Sequence, residues 1–444
     1  FASGRARTAS ADAEVPGDAL RPLFDAILRH IPAPEGDPDG ALQLLISTID
    51  YNDYVGRIGV GRIERGTIRA GQMAIRCAFG SSFTSAPSRL GGLYEFDGLK
   101  RANCETAHVG DIVAVSGFDE LYIGDTICDT AMADPLPFVK IDEPTISMTF
   151  CVNDSPFAGT EGQYVTSRHL RARLMREMQT DVSLRVEDTE TTDAFRVSGR
   201  GELHLSILIE TMRRQGYEFQ VTKPVVLYKE VNGEKFEPIE RVVCDVPTES
   251  AGVVIEKLGR RRGTLVAMHG QDRMRLEFLV PSRGLFGYRS EFLTDTRGEG
   301  VMSAVLDGYE PFKGDIPTRS SGSLVAFEAG ESTSYALFNA QERGDLFIEP
   351  GTKVYSGMVV GRNARVGDID VNVCKKKHMT NSRNSAAAEE ALKITGVRIP
   401  TLEEALEFID DDELVEITPK FIRMRKRVLS AEMRRKIDSR KKQG

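Results

Sequence analysis

No apolar run in the 444-residue chain approaches the roughly 20 residues that cross a bilayer as a helix. None of the six cysteines (Cys77, Cys104, Cys128, Cys151, Cys244, Cys374) falls in a Cys-x-x-Cys spacing. The first absence excludes a membrane-spanning helix. The second argues against a disulfide framework and a zinc ribbon, and for the reduced thiols of a cytoplasmic protein. The six histidines are scattered and no H-E-x-x-H occurs, so no zinc site is legible; His204 reads as a helix residue beside a core. There is no Gly-Lys dipeptide, hence no phosphate-cradling P-loop, and no Asn-Lys or G-x-S-x-G. Asp295-Thr296-Arg297-Gly298 fits D-x-x-G, but at a helix end it reads as coincidence. No catalytic constellation is visible.

What is present is charge, unevenly placed. The chain carries −8 overall, yet Lys420 to Gly444 holds eleven Lys/Arg against two Asp/Glu. Just upstream, Glu403 to Glu416 holds eight acidic residues, Asp411-Asp412 among them, which read as solvated carboxylates. An acidic body with a basic tail suits a polyanionic partner touched by part of the surface.

The composition, 41% hydrophobic and 28% charged, is that of folded protein, and the length suggests about three domains. Residues 1–40 read as the end of a buried strand cut off from its sheet (Phe1-Ala2-Ser3), a small-residue loop, a helix over Asp18–His30 and a Pro-rich linker. Residues 41–136 have a period of two with glycines at bends, as in Gly56-Arg57-Ile58-Gly59-Val60-Gly61-Arg62-Ile63, and predict a small β-barrel. Residues 137–226 read βαββαβ, the ferredoxin-like order, with helices over Thr166–Gln179 and Gly201–Gln215. Residues 227–311 repeat that order; Arg200-Gly201 and Arg283-Gly284 open equivalent second helices 83 positions apart. Residues 312–444 predict a mainly β unit, with strands that include Ser334–Asn339 and Glu413–Ile417, and a helix capped by Thr401-Leu402-Glu403-Glu404. The fold class is multidomain α+β and β.

Three basic features could grip phosphates. Lys375, Lys376, Lys377 and His378, followed by Asn381 and Arg383, form a loop; a plain solvated loop would look the same. In Arg423-Met424-Arg425-Lys426-Arg427, alternation puts Arg423, Arg425 and Arg427 on one side of a strand, a ladder for a phosphate backbone or the charged guard of a sheet edge. Arg283 and Arg289 flank Gly284-Leu285-Phe286-Gly287-Tyr288, whose rings read as core.

These segments resemble translational GTPases. Gly56 to Ile63 with Ala70-Gly71-Gln72 resembles their second domain, Ser198-Gly199-Arg200-Gly201-Glu202-Leu203-His204-Leu205 their third, and Pro281 to Arg289 their fifth, as shared by elongation factor G and LepA relatives. Leu402 to Glu416 and Thr418 to Arg427 resemble the special C-terminal domain of the BipA/TypA family. The resemblance implies a translation-factor β-barrel, two ferredoxin-like domains and the family's own C-terminal domain. It implies a ribosome-associated factor acting in large-subunit assembly, translation and stress adaptation. Its C-terminal domain would contact ribosomal RNA and the acceptor end of an A-site tRNA, with no membrane or DNA partner, as a monomer. The basic loop departs from the family pattern where Ala386-Ala387-Ala388 follows Ser385. The family's G domain precedes the barrel, so the chain reads as a fragment inactive by itself; no cofactor is expected here, with GTP and Mg2+ reserved for the intact protein. The competing readings are a protein-interaction scaffold, an enzyme with an unrecognised site, and the same portion of a LepA- or elongation factor G-like factor.

Overall fold

The structure is a computed structural model that describes all residues except 16, 53, 81–82, 139–142, 317–318, 320, 377–393, 395 and 442–444. The chain divides into two compact units, residues 1–140 with 179–182, and residues 141–178 with 183–444.

In the first unit, the two-residue period becomes an eight-stranded antiparallel sheet. Its spatial order is Ser88–Arg89, Met73–Ala78, Asp125–Asp129, Gln43–Asn52, Gly56–Arg65, Ile112–Ser116, Gly92–Asp97, Lys100–Asn103. Alternate residues turn inward, and Leu44, Ile46, Ile63, Val113, Val115 and Ile127 fill the interior. The glycines between the β-branched residues let strands close up: a Cβ on Gly61 would sit 2.0 Å from the Leu45 carbonyl oxygen. Ala2–Ser3 is not a buried strand end. Both residues are exposed and pair with Thr8–Ala9 in a short hairpin, and Phe1 is 77% exposed. The helix that follows runs Arg21–His30 and buries none of its residues.

The second unit opens with βαββαβ. Ile146–Cys151 lies between Ala194–Gly199 and Phe219–Val221, and Arg185–Asp188 is the outer strand. Helices Ser167–Thr180 and Glu202–Arg214 cover one face through Leu170, Leu174, Leu205, Leu208, Ile209 and Met212. The order recurs in Glu234–Pro247, Thr248–Arg260, Thr264–Gly270, Arg273–Pro281, Tyr288–Asp295 and Val301–Pro311. Here the second helix starts five residues after Arg283, because Ser282–Gly284 forms a 3-10 turn and Gly287 adopts φ +71°. The D-x-x-G match is that helix's end: Gly298 takes φ +79° and its N–H bonds the Leu293 carbonyl, while Asp295 pairs with Lys257.

The C-terminal part does not build a separate sheet. Glu413–Ile417 pairs antiparallel with Phe219–Val221, so the ferredoxin-like sheet continues through Ile422–Lys426, Met358–Asn363, Ser323–Ala326 and Ile369–Val371. Side chains from both parts share one core, including Phe150, Phe219, Leu406, Phe408, Val415 and Met424. The expected strand over Ser334–Asn339 is instead a helix, Ser334–Ala340. Thr333 caps it by accepting the Ala336 N–H, and Ala336, Leu337 and Ala340 supply a helical apolar stripe that outweighs the alternation. The Thr401–Glu404 capping box is present, with both reciprocal bonds, on helix Leu402–Phe408.

Candidate nucleic-acid interface

Strand Ile422–Lys426 carries most of the basic run and pairs with strand Glu413–Ile417, which carries acidic residues. The register places Arg423 opposite Glu416 and Lys426 opposite Glu413. Arg423 and Arg425 do share a side, but that side is covered. Arg423 binds Glu161 Oε1 (2.7 Å) and Glu416 Oε1 (3.1 Å), with the rings of Phe157 and Phe421 beside its guanidinium. Arg425, 2% exposed, donates to Gln220 Oε1 (2.7 Å) and pairs with Asp154. Glu416 is fully buried and also accepts from Asn153 (3.0 Å), Ser155 (2.9 Å) and the Tyr355 hydroxyl (2.8 Å).

The other side holds a second closed network. Lys426, 1% exposed, reaches Glu413 Oε1 (2.9 Å), Asp412 Oδ2 (3.0 Å) and Asp368. The buried Glu413 carboxylate also takes Arg319 Nη1 (2.9 Å) and Ser323 Oγ (2.6 Å). Burial by itself would lower the Lys426 ammonium, but Glu413 and Asp368 outweigh it and push the pKa up to about 12. Arg283 is likewise internal. It grips the fully buried Glu237 through Nε (2.5 Å) and Nη2 (3.1 Å), donates to the Gly314 carbonyl and lies over Phe312.

The phosphate ladder expected of Arg423, Arg425 and Arg427 is therefore corrected at Arg423 and Arg425, and so are the RNA-binding roles expected of Lys426 and Arg283. Removing a charge from water costs several kcal/mol, and these sites recover that cost from carboxylates and side-chain acceptors of this chain. The four side chains are at most 14% exposed, which leaves little of them for a second anion. The acidic run is corrected with them: Glu413 and Glu416 are buried counter-ions, not solvated charge.

Other cations point outward. Lys375 and Lys376 are exposed, Arg427 is exposed beyond the end of its strand, and Arg289 is exposed on helix Tyr288–Asp295. Tyr288 is fully buried, as a core ring should be. Lys377, His378, Asn381 and Arg383 lie outside the described residues. Lys375 is held at its backbone: its carbonyl accepts the Thr333 hydroxyl (2.7 Å), and the Thr333 N–H bonds Val373 (3.0 Å). Adjacent Ser332 exchanges bonds with Thr352 (2.9 and 3.0 Å), which places exposed Lys353 at the same end of the domain. Among the described residues, none of Lys353, Lys375 and Lys376 has an ion-pair partner. Lys353 is absent from the sequence reading. It stands alone after a Pro-Gly turn, where Lys353–Val354 pairs with Gly330–Glu331 just before Ser332 and Thr333.

Four family models match consecutive parts of the chain: elongation factor Tu domain 2 over residues 56–128, elongation factor G domain III over 163–223, the elongation factor G C-terminus over 234–320, and the TypA/BipA C-terminal domain over 321–431. A Synechocystis protein named large ribosomal subunit assembly factor BipA is 51% identical over 96% of this chain and 71% of its own length. The chain belongs to the TypA/BipA family. Relatives of the same name from Bacillus subtilis (48% identical, 100% of this chain, 72% of the relative) and Escherichia coli K12 (46%, 98% and 72%) agree. The barrel, the two ferredoxin-like domains and the C-terminal domain are those of a TypA/BipA translation factor.

The family implies GTP and Mg2+ in the intact protein. The residues of this chain do not fit them: it has no P-loop, and among the described residues no three His, Cys, Asp or Glu side chains are grouped to hold a metal ion. No nucleotide chemistry is assigned to them.

Proposed function

We propose that this chain is the ribosome- and RNA-docking body of a TypA/BipA factor, working in large-subunit assembly, translation and stress adaptation in the cytoplasm. The modules are those of residues 41–136, 137–226, 227–311 and 312–444, and the chain acts as a monomer. Ribosomal RNA and the acceptor end of an A-site tRNA are the partners, met by Lys375 and Lys376 with Lys353 beside them, by Arg427 and Arg289, and by the loop residues Lys377, His378, Asn381 and Arg383. GTP and Mg2+ enter through the intact protein. The name carried by its relatives supports the ribosomal setting. The observation that carries the reading is the sorting of cations: Arg283, Arg423, Arg425 and Lys426 are neutralised internally, whereas Lys353, Lys375 and Lys376 are exposed and, among the described residues, have no ion-pair partner.

Cosedimentation with large ribosomal subunits across a salt series tests this. Phosphate contacts release counter-ions, so about four contacts give a log–log slope of roughly −3. Lys375→Glu with Lys376→Glu should weaken binding and flatten the slope while leaving thermal melting in place. Binding indifferent to salt and to that double change would favour a protein-interaction scaffold.

A further inference from the structure

The C-terminal helix, Ala431–Lys441, is attached to the molecule in an unusual way. From Glu432 to Arg440, every described side chain except Arg434 is exposed, including Met433 (60%) and Ile437 (41%). The helix therefore rests on polar contacts in place of an apolar stripe. Arg434 reaches back to the carbonyls of Val428 (3.1 Å) and Leu429 (2.6 Å) and pairs with Asp370, whose second oxygen takes Arg435 (3.1 Å). Beside this contact a cavity of about 500 Å³ is lined by Asp368, Asp370, Asp410, Asp411, Asp412 and Arg427. The helix borders it without filling it.

A basic segment held by one carboxylate can exchange that carboxylate for another anion. Arg435, Lys436 and Arg440 already face solvent, and Arg434 would join them on leaving Asp370. Lys and Arg along a single helix suit the regularly spaced phosphates of an RNA groove. We propose that Ala431–Lys441 is a detachable arm that binds RNA phosphates, and that Asp370 latches it in the free protein as an internal competitor. The proposal rests on the RNA-docking reading and adds to it a second contact and a built-in restraint.

Linkage gives it a counter-intuitive signature: removing an acidic residue's charge should tighten RNA binding by releasing the arm. Asp370→Asn should lower amide-exchange protection over residues 431–441 and tighten binding to a short A-form RNA hairpin about two- to fivefold, the reciprocal of the unlatched fraction. Arg435→Glu/Lys436→Glu/Arg440→Glu should weaken that binding at least about tenfold and reduce the salt slope by roughly two to three. Arg434→Gln, which opens the latch from the helix side, should reproduce the loss of protection, and thermal melting of each variant checks that the domain is intact. Unchanged RNA affinity in Asp370→Asn, or a salt slope indifferent to the triple change, overturns the arm. So does a response confined to anionic vesicles. If ribosome binding keeps its salt dependence while the arm variants are silent, the arm alone fails. If the wild-type chain binds neither ribosome nor hairpin, the docking reading fails with it.

Discussion

Two basic stretches of the C-terminal domain, Lys375-Lys376 and Arg423 to Lys426, have opposite surroundings. The first is held by its backbone and leaves its ammonium groups in water. The second is enclosed by Glu161, Glu413, Glu416, Asp154 and Gln220, with Lys426 only 1% exposed. The difference lies in what is paired across from each. Among the described residues no acidic strand pairs in register with Lys375-Lys376, whereas Ile422–Lys426 folds back on Glu413–Ile417. A cation closed into a buried network of internal carboxylates is not offered to an external anion.

Variants on the two stretches sharpen that contrast. Lys426→Ala takes one of its two cations, Lys426 and Arg319, from the buried Glu413 carboxylate and should cost about 3 kcal/mol, read as a shift in the denaturant midpoint. Arg425→Glu with Arg423→Glu should act the same way, lowering the melting temperature sharply; a chain that melts normally and only loses ribosome affinity would return these arginines to the interface. Tyr355→Phe removes one hydrogen bond to the buried Glu416 carboxylate and should cost about 1.5–3 kcal/mol.

A proton makes a related test at Glu202. Burial, with Glu407, Glu403 and Glu240 nearby, raises its pKa from 4.5 to about 7. The folded chain then holds this proton more tightly than the unfolded chain. The group's contribution is full below about pH 4.5 and is lost as pH rises through about 7. Glu202→Gln should flatten that part of the stability–pH profile measured by denaturant melts, and a profile identical to wild type would refute the assignment. The smallest effect is expected at the other stretch: Lys375→Ala with Lys376→Ala should change stability by less than about 0.5 kcal/mol while weakening subunit binding.

Much of the architecture was readable because its signals are local. The glycine-punctuated barrel strands, the two βαββαβ orders and the Thr401 capping box each depend on residues a few positions apart. The helix at Ser334–Ala340 was misread because Ser334-Tyr335-Ala336-Leu337 alternates like a strand, and the Thr333 cap decides otherwise. The candidate interface was readable as composition but not as direction. Alternation placed Arg423 and Arg425 on one side without saying that residues 153–161 cover that side. A usable clue was present: folding the chain about Thr418-Pro419-Lys420 sets Glu416 against Arg423 and Glu413 against Lys426, which already predicts neutralisation. Lys353 could not be found this way, since its position depends on the pairing of Lys353–Val354 with the distant Gly330–Glu331.

The strand pairing of Phe219–Val221 with Glu413–Ile417 has a mechanical result. A swivel between the first ferredoxin-like domain and the C-terminal domain would have to tear backbone bonds inside a continuous sheet, so torque applied at one end arrives at the other with little lost. A polypeptide stopped before Glu413 would leave Phe219–Val221 as a raw, apolar border open to the wrong neighbour, and its expected fate is aggregation.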